Sequence, residues 1–196
     1  MTDIKASVVS DASLTPSPST DHGRSWSAAN FGLLSLGVLS LVISPTWPAD
    51  RTAYAITEDG LYYSTNEGRA WKAIPSATSE DIPALTLLLS STFGQDKLLY
   101  MGAEGAGVWR SADRGRGWEA LPELEDRTVN ALCFSSSPGS GRYLYAGTAE
   151  GEIFRSPDEG QTWQCSIDSI SSVLALSSRG PLIVAGLYGR VLALWE

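Results

Sequence analysis

The sequence predicts an all-β fold, a small β-propeller of four-stranded antiparallel blades, about four in number. Three observations carry that reading. An eight-residue turn-like pattern occurs four times at nearly constant spacing. Short apolar runs recur in step with it. The two ends of the chain are incomplete in complementary ways.

The octet comes first. Ser19-Thr-Asp-His-Gly-Arg-Ser-Trp26 recurs as Ser64-Thr-Asn-Glu-Gly-Arg-Ala-Trp71. It returns as Ser111-Ala-Asp-Arg-Gly-Arg-Gly-Trp118 and as Ser156-Pro-Asp-Glu-Gly-Gln-Thr-Trp163. The shared pattern is S-x-[D/N]-x-G-x-x-W. The serines at 19, 64, 111 and 156 give spacings of 45, 47 and 45 residues. A repeat of that length carrying four strands is a propeller blade. The chemistry of the octet fits a tight hairpin. The Asp or Asn (Asp21, Asn66, Asp113, Asp158) accepts hydrogen bonds from the backbone of its own turn. The glycine (Gly23, Gly68, Gly115, Gly160) supplies a positive φ. The tryptophan starts the next strand and covers the turn with a large apolar surface.

The strands follow from the flanks. Each repeat holds an apolar run A (38–44, 84–90, 129–135), then B (52–57, 98–102, 143–148). Strand C follows, opened by Gly60, Gly107 or Gly151, then the octet, then a short D from the Trp. Runs of this length, rich in β-branched and aromatic residues and bounded by Gly, Pro, Ser and Asp, read as strands. The N-terminus has an octet and a D segment but no strands before it. Pro16 and Pro18 stand where its strand C belongs, and proline is poorly tolerated inside a sheet. The C-terminus has A (173–177), B (182–188) and C (189–196) and stops where its octet would begin. Residues 189–196 are therefore expected to pair with the segment after Trp26, which would close the ring and remove two edges. The competing arrangements are a fragment of a larger ring and two chains joined into one eight-bladed ring. The expected organisation is an irregular tail over 1–18 and a propeller over 19–196. Its blade segments are 19–31 with 172–196, then 32–75, 76–122 and 123–171.

With these residues in view, the chain resembles the Asp-box (BNR-repeat) propellers over roughly 19–196. That group includes sialidases, sortilin-type receptors, xyloglucan-degrading glycosidases and photosystem II assembly factors. The resemblance implies the fold. It says little about activity, because the family uses the same turn in unrelated roles. The Arg-[Ile/Leu]-Pro motif of the family's sialidases is absent.

Composition narrows the classes. The net charge of −8 argues against nucleic acid as a partner, which needs basic surface, and favours a cationic one. Two cysteines and one histidine are too few for a zinc site, and neither a cofactor nor a metal is expected. Residues 1–20 lack the apolar core of a signal peptide. The apolar stretch 31–44 is shorter than the about 20 residues that span a bilayer. A cytoplasmic protein is expected. Cys133 and Cys165 fall on strands A and D of one blade, about 14 Å apart at ordinary strand spacing, beyond disulfide reach.

The meander puts the D–A and B–C loops on one rim and the A–B loops and octets on the other. The first rim carries eleven acids, among them Glu58, Asp59, Glu80, Asp81, Glu104, Glu123, Glu125, Asp126 and Glu150, against Arg127 and Arg190. The octet rim is nearly balanced. The residues expected to meet a partner are thus Glu58, Asp59, Glu104, Glu123, Glu125, Asp126 and Glu150, on a face suited to an unidentified, basic protein. No catalytic residue is assigned. The expected function is a non-enzymatic scaffold or protein-binding module. The alternatives are a carbohydrate-active propeller (hydrolase or lectin-like) and an assembly factor for a membrane complex. The octet tryptophans, and Tyr62, Trp109 and Phe154 in strand C, are expected in the core. Trp47 and Phe93 are expected to anchor the A–B loops.

Overall fold

The structure, a computed structural model, describes residues 22, 24–25, 29–47, 49–75, 82–137, 141–168 and 171–195. Within them, four antiparallel sheets of three to four strands are arranged as a four-bladed β-propeller. The expected tail 1–18, the first octet (Ser19, Asp21, Gly23, Trp26), Glu80 and Asp81 lie outside the described residues.

Blade 1 is β1 (Val38–Ile43), β2 (Ala53–Thr57), β3 (Gly60–Ser64) and β4 (Lys72–Ala73). Blade 2 is β5 (Ala84–Leu89), β6 (Leu99–Ala103), β7 (Gly107–Ser111) and β8 (Glu119–Ala120), with a short helix α1 (Phe93–Asp96) in its first loop. Blade 3 is β9 (Val129–Ser137), β10 (Gly141–Thr148), β11 (Glu152–Ser156) and β12 (Gln164–Asp168). Blade 4 is β13 (Val173–Arg179), β14 (Leu182–Leu187) and β15 (Arg190–Trp195). Each sheet is a plain meander, with neighbours paired in chain order. In the three complete repeats the four strands expected are therefore the four observed, and blade 4 has three among the described residues. The helix was not expected.

The burial pattern explains why the runs read as they do. The second strands β2 and β6 are buried along their whole length, so they are continuously apolar or small rather than alternating. The fourth strands β4 and β8 are two exposed residues each. Short edge strands with charged side chains resist edge-to-edge pairing. In every first strand the register slips at its second residue, at Leu39, Leu85, Asn130 and Leu174. Such a bulge adds local twist.

Three of the four buried clusters each join two blades. Tyr54 and Ile56 of blade 1 share a core with Leu87 and Leu89 of blade 2. Tyr100 of blade 2 packs with Val129 and Leu132 of blade 3. Tyr145 of blade 3 packs with Val173 and Leu176 of blade 4. A fourth cluster (Ala53, Ala55, Tyr62 and Trp71, with Leu33, Val38 and Trp47) belongs to blade 1 and the segment before it. Among the described residues no cluster joins blade 4 to blade 1.

Glycine sets how closely blades approach. A Cβ on Gly102 would stand 2.5 Å from the Val129 carbonyl oxygen and 2.7 Å from Val129 Cγ1. A Cβ on Gly147 would collide with Val173 Cγ1. Neither glycine has a positive φ, so their reason is the close approach and not the backbone.

At the open edge, β15 has one strand neighbour, β14, among the described residues. The pairing was expected along the segment after Trp26, up to residue 31. Residues 26–28 lie outside the described set, and residues 29–31 form no strand beside β15. They lie instead on blade 1: Trp71 Nε1 donates to the Ala29 carbonyl at 2.7 Å, and the Trp71 backbone N–H donates to Phe31 O at 2.8 Å.

Gly102→Ala should therefore lower stability by about 1–3 kcal/mol through overpacking, read as the urea unfolding midpoint. An unchanged midpoint would show that the blades have room to separate.

Candidate functional site: the octet turns and the acidic rim

The three described octets share one hydrogen-bond scheme. Ser64, Ser111 and Ser156 are buried at the end of the third strand. Each hydroxyl donates to the Asn or Asp two residues on, at 2.8 Å in all three cases. The same oxygen accepts the backbone N–H of Gly68, Gly115 or Gly160 at 3.0, 2.8 and 2.7 Å. The Asn66, Asp113 or Asp158 oxygen then accepts the N–H of Ala70, Gly117 or Thr162 at 2.8–2.9 Å. Asn66 does this as an amide, so a carbonyl oxygen suffices.

The glycines have φ of 78°, 88° and 94°. The residue before each is also left-handed: Glu67, Arg114 and Glu159, with His22 at the same place in the first octet. The indole edge lies over its own glycine, with Cζ2 of Trp71, Trp118 and Trp163 at 3.4–3.7 Å from where a Cβ would sit. The glycine has a second role that the pattern alone does not reveal. A Cβ on Gly115 would stand 3.0 Å from Leu61 Cδ2 and 3.4 Å from Ile74 Cδ1 of the preceding blade, and one on Gly160 would strike Leu121. Ile74 and Leu121 each stand three residues after an octet Trp. The octet is thus a joint between blades as well as a turn.

A second polar knot on the same rim went unread. In the first hairpin of blade 1, Ser44 and Thr46 donate to Asp50 Oδ2 at 2.5 and 2.7 Å, and Asp50 Oδ1 accepts the Thr52 N–H at 3.2 Å. In blade 2, Ser90 and Thr92 donate to Asp96 at 2.6 Å each, with the Leu98 N–H at 3.0 Å. The spacing S-x-T-x-x-x-D at 44–50 and 90–96 was its signal. Of the two aromatics expected as anchors there, Phe93 is buried edge-on against Tyr54, with centroids 5.7 Å apart, and Trp47 is half-buried.

These carboxyls are tuned by their donors. Burial works to raise Asp50, Asp96 and Asp113, and hydrogen bonds from the neighbouring hydroxyls and N–H groups outweigh it, so all three lie below the usual Asp value. The Thr162 hydroxyl and N–H lower Asp158. Burial pushes the Tyr54 and Tyr100 phenols up to about 12, so both stay neutral at physiological pH.

The seven acids expected to meet a partner are all exposed. They sit in the β2–β3 turn (Glu58, Asp59), the β6–β7 turn (Glu104), the β10–β11 turn (Glu150) and the β8–β9 loop (Glu123, Glu125, Asp126), on one rim. Three of them are also structural, and Glu150 accepts the Thr128 N–H at 3.4 Å. Asp59 accepts the Thr57 and Tyr62 hydroxyls at 2.5 Å each. Glu123, at φ 74°, accepts the Trp163 N–H at 2.7 Å. Among the described residues, no three His, Cys, Asp or Glu side chains gather closely enough to hold a metal ion. Cys133 is buried on β9, Cys165 is exposed on β12, and no disulfide joins them. No described helix is long and apolar enough to cross a membrane.

Ion pairing separates the rims. On the octet side, Glu67 pairs with Arg51 and Arg69 at 3.4 and 3.1 Å, Glu119 with Arg110 at 2.6 Å, and Glu159 with Arg142 at 2.8 Å. On the acidic rim, Arg127 pairs with Glu152 at 3.0 Å. Glu58, Glu104, Glu125, Asp126 and Glu150 have no Lys or Arg within ion-pair distance among the described residues.

No protein-family model matches the chain, and no curated protein matches it. Solved structures do. An ancestral GH74 enzyme superposes with TM-score 0.64 at 20% identity, over 83% of this chain and 23% of that one. The extracellular domain of BT4673 from B. thetaiotaomicron, described as a one component system, gives 0.60 at 17%, over 83% and 22%. The computationally designed Ika4 protein gives 0.60 at 16%, over 81% and 91%. The chain thus spans about a quarter of the natural proteins. At these identities the likeness is one of fold, and the fold defines the class: a β-propeller.

Two outcomes test the turn chemistry. Asp113→Asn should leave the unfolding midpoint nearly unchanged, as Asn66 implies, while Asp113→Ala should lower stability by about 1 kcal/mol by stranding the Gly117 and Arg116 N–H groups. Equal effects of the two would refute the acceptor role. For pH, the folded carboxyl lies below its unfolded value, so the folded state holds fewer protons. That stabilisation is complete above the ordinary Asp value and is lost as pH falls through the folded one. Urea midpoints should fall on acidification from about pH 5 to pH 2, less steeply in Asp113→Asn. Identical pH slopes would exclude Asp113 as a contributor.

Proposed function

We propose that this protein is a propeller of the Asp-box type acting as a non-enzymatic binding module, its acidic loop rim docking a basic protein partner. The carrying observation is the contrast in ion pairing. Glu67, Glu119 and Glu159 on the octet rim have arginine partners. Glu58, Glu104 and Glu150 recur, one per turn between second and third strands, exposed and without a cation at hand among the described residues. Repetition from blade to blade makes a broad negative surface, which steers and orients a basic partner. Electrostatic docking of this kind weakens with salt.

A second reading has its own support. Likeness to an ancestral GH74 enzyme favours a carbohydrate-active propeller. Glycoside hydrolysis needs two carboxyl groups about 5–9.5 Å apart, and an acidic rim is where such a pair would be found.

A fluorescent lysine-rich peptide tests the first reading. Anisotropy at low salt should report binding that weakens at least tenfold in Glu58→Lys/Glu104→Lys/Glu150→Lys and toward about 0.15 M salt. These side chains are exposed, so the variant should keep its circular dichroism. No binding by the native chain would refute basic docking. Turnover of any member of a chromogenic glycoside panel would establish the second reading.

A further inference from the structure

Among the described residues the joint between blades is built three times, and each half of a fourth joint stands open. By strand register, Val38, Ala84, Val129 and Val173 are equivalent, as are Leu41, Leu87, Leu132 and Leu176, and so are Ile56, Gly102, Gly147 and Gly186. In the joints of blades 2–3 and 3–4 the first-strand valine enters the space over the preceding blade's glycine, Val129 over Gly102 and Val173 over Gly147. Between blades 1 and 2 the sizes are exchanged, with Ile56 on one side and Ala84 on the other, both at the same cluster.

Blade 1 carries an unmatched valine face. Leu41 is 47% exposed and Ile43 56%, whereas Leu87, Leu132 and Leu176 are 4%, 4% and 3% exposed. Blade 4 carries an unmatched glycine face. Gly186 pairs with Ala175 as Gly147 pairs with Ala131. Among the described residues, only the Cβ and oxygen of Ala175, from its own sheet, lie within 4 Å of its would-be Cβ. A valine face therefore lacks its glycine, and a glycine face lacks its valine.

The segment before blade 1 points the same way. The Trp163 N–H is bonded by Glu123, in the loop that leaves the preceding blade, five residues after Trp118. The Trp71 N–H is bonded by the Phe31 carbonyl, five residues after Trp26. Residues 29–31 thus occupy the place of a preceding blade's last segment. Blade 4, with β15 as its outermost described strand, is the blade that lacks one.

We propose that two copies of this chain assemble head to tail into one eight-bladed ring. Blade 4 of each copy seats against blade 1 of the other, Val38 over Gly186 of the partner copy, and residues 29–31 of one copy lie alongside β15 of the other. The occupant is a second copy because the missing surface is one the chain itself carries, in the required register. A head-to-tail contact repeated at both ends closes with two-fold symmetry and leaves no open face.

Sedimentation velocity and light scattering on residues 1–196 decide this. The expected result is a single species of twice the 20.9 kDa chain mass, at concentrations from about 1 to 100 μM, the upper range in which such interfaces form. In Gly186→Leu the replaced glycine has no positive φ and a Cβ there meets only Ala175 among the described residues, and Leu41→Asp alters an exposed side chain. Both variants should keep the circular dichroism spectrum and run at the single-chain mass. A native chain that stays at 20.9 kDa throughout would overturn the proposal, whether its ring closes on itself or takes blades from elsewhere. A Gly186→Leu species still at twice that mass would overturn it too.

Discussion

The contact between consecutive blades is the interaction on which the rest depends. A four-stranded sheet has two faces, and its second strand is buried on both, so neither blade alone can keep that strand dry. Burial of apolar surface is the dominant favourable term in folding, and here three of the four buried clusters lie between blades. Tyr54, Tyr100 and Tyr145 occupy equivalent positions in three blades, each nearly inaccessible to solvent and each in the cluster shared with the following blade. Such an arrangement behaves as a one-dimensional array, stabilised by nearest-neighbour interfaces.

The polar turns serve that joint. Ser64, Ser111 and Ser156 bring buried hydroxyls to the strand ends and satisfy them twice over, as donor to Asn or Asp and as acceptor from glycine. Without that second bond a buried N–H would be stranded beside the apolar cluster. The same glycines admit Ile74 and Leu121 from the preceding blade. The chemistry that makes a tight hairpin therefore also sets how close the next blade can come. The Ser44–Asp50 and Ser90–Asp96 knots do comparable work in the first hairpins of blades 1 and 2.

The octets, the strand positions and the sorting of loops onto two rims were legible in the sequence because each rests on local rules: turn chemistry, strand length and meander order. The fate of equivalent residues was not. Leu41 and Leu87 sit in near-identical runs, VLSLVI and ALTLLL, yet one is open and the other closed, because burial depends on which blade stands behind. Nothing in the local sequence sets Gly102 and Gly147 apart, and the position of Val129 and Val173 shows why no side chain fits there. At the rim, charge sign was readable. The structural tasks of Asp59 and Glu123 were not, since both depend on donors brought in by the fold, Tyr62 from the next strand and the Trp163 N–H forty positions away.

A double-mutant cycle at one joint tests the central claim most directly. If Val173 fills the space that Gly147 leaves, Val173→Ala should be much less harmful, or even restorative, in a Gly147→Ala background, because the smaller side chain relieves the clash. Unfolding free energies of the four proteins should then show coupling well beyond the about 0.3–0.5 kcal/mol expected of independent sites. Strict additivity would mean that the two residues do not meet, and that something other than the blade joint holds this fold together.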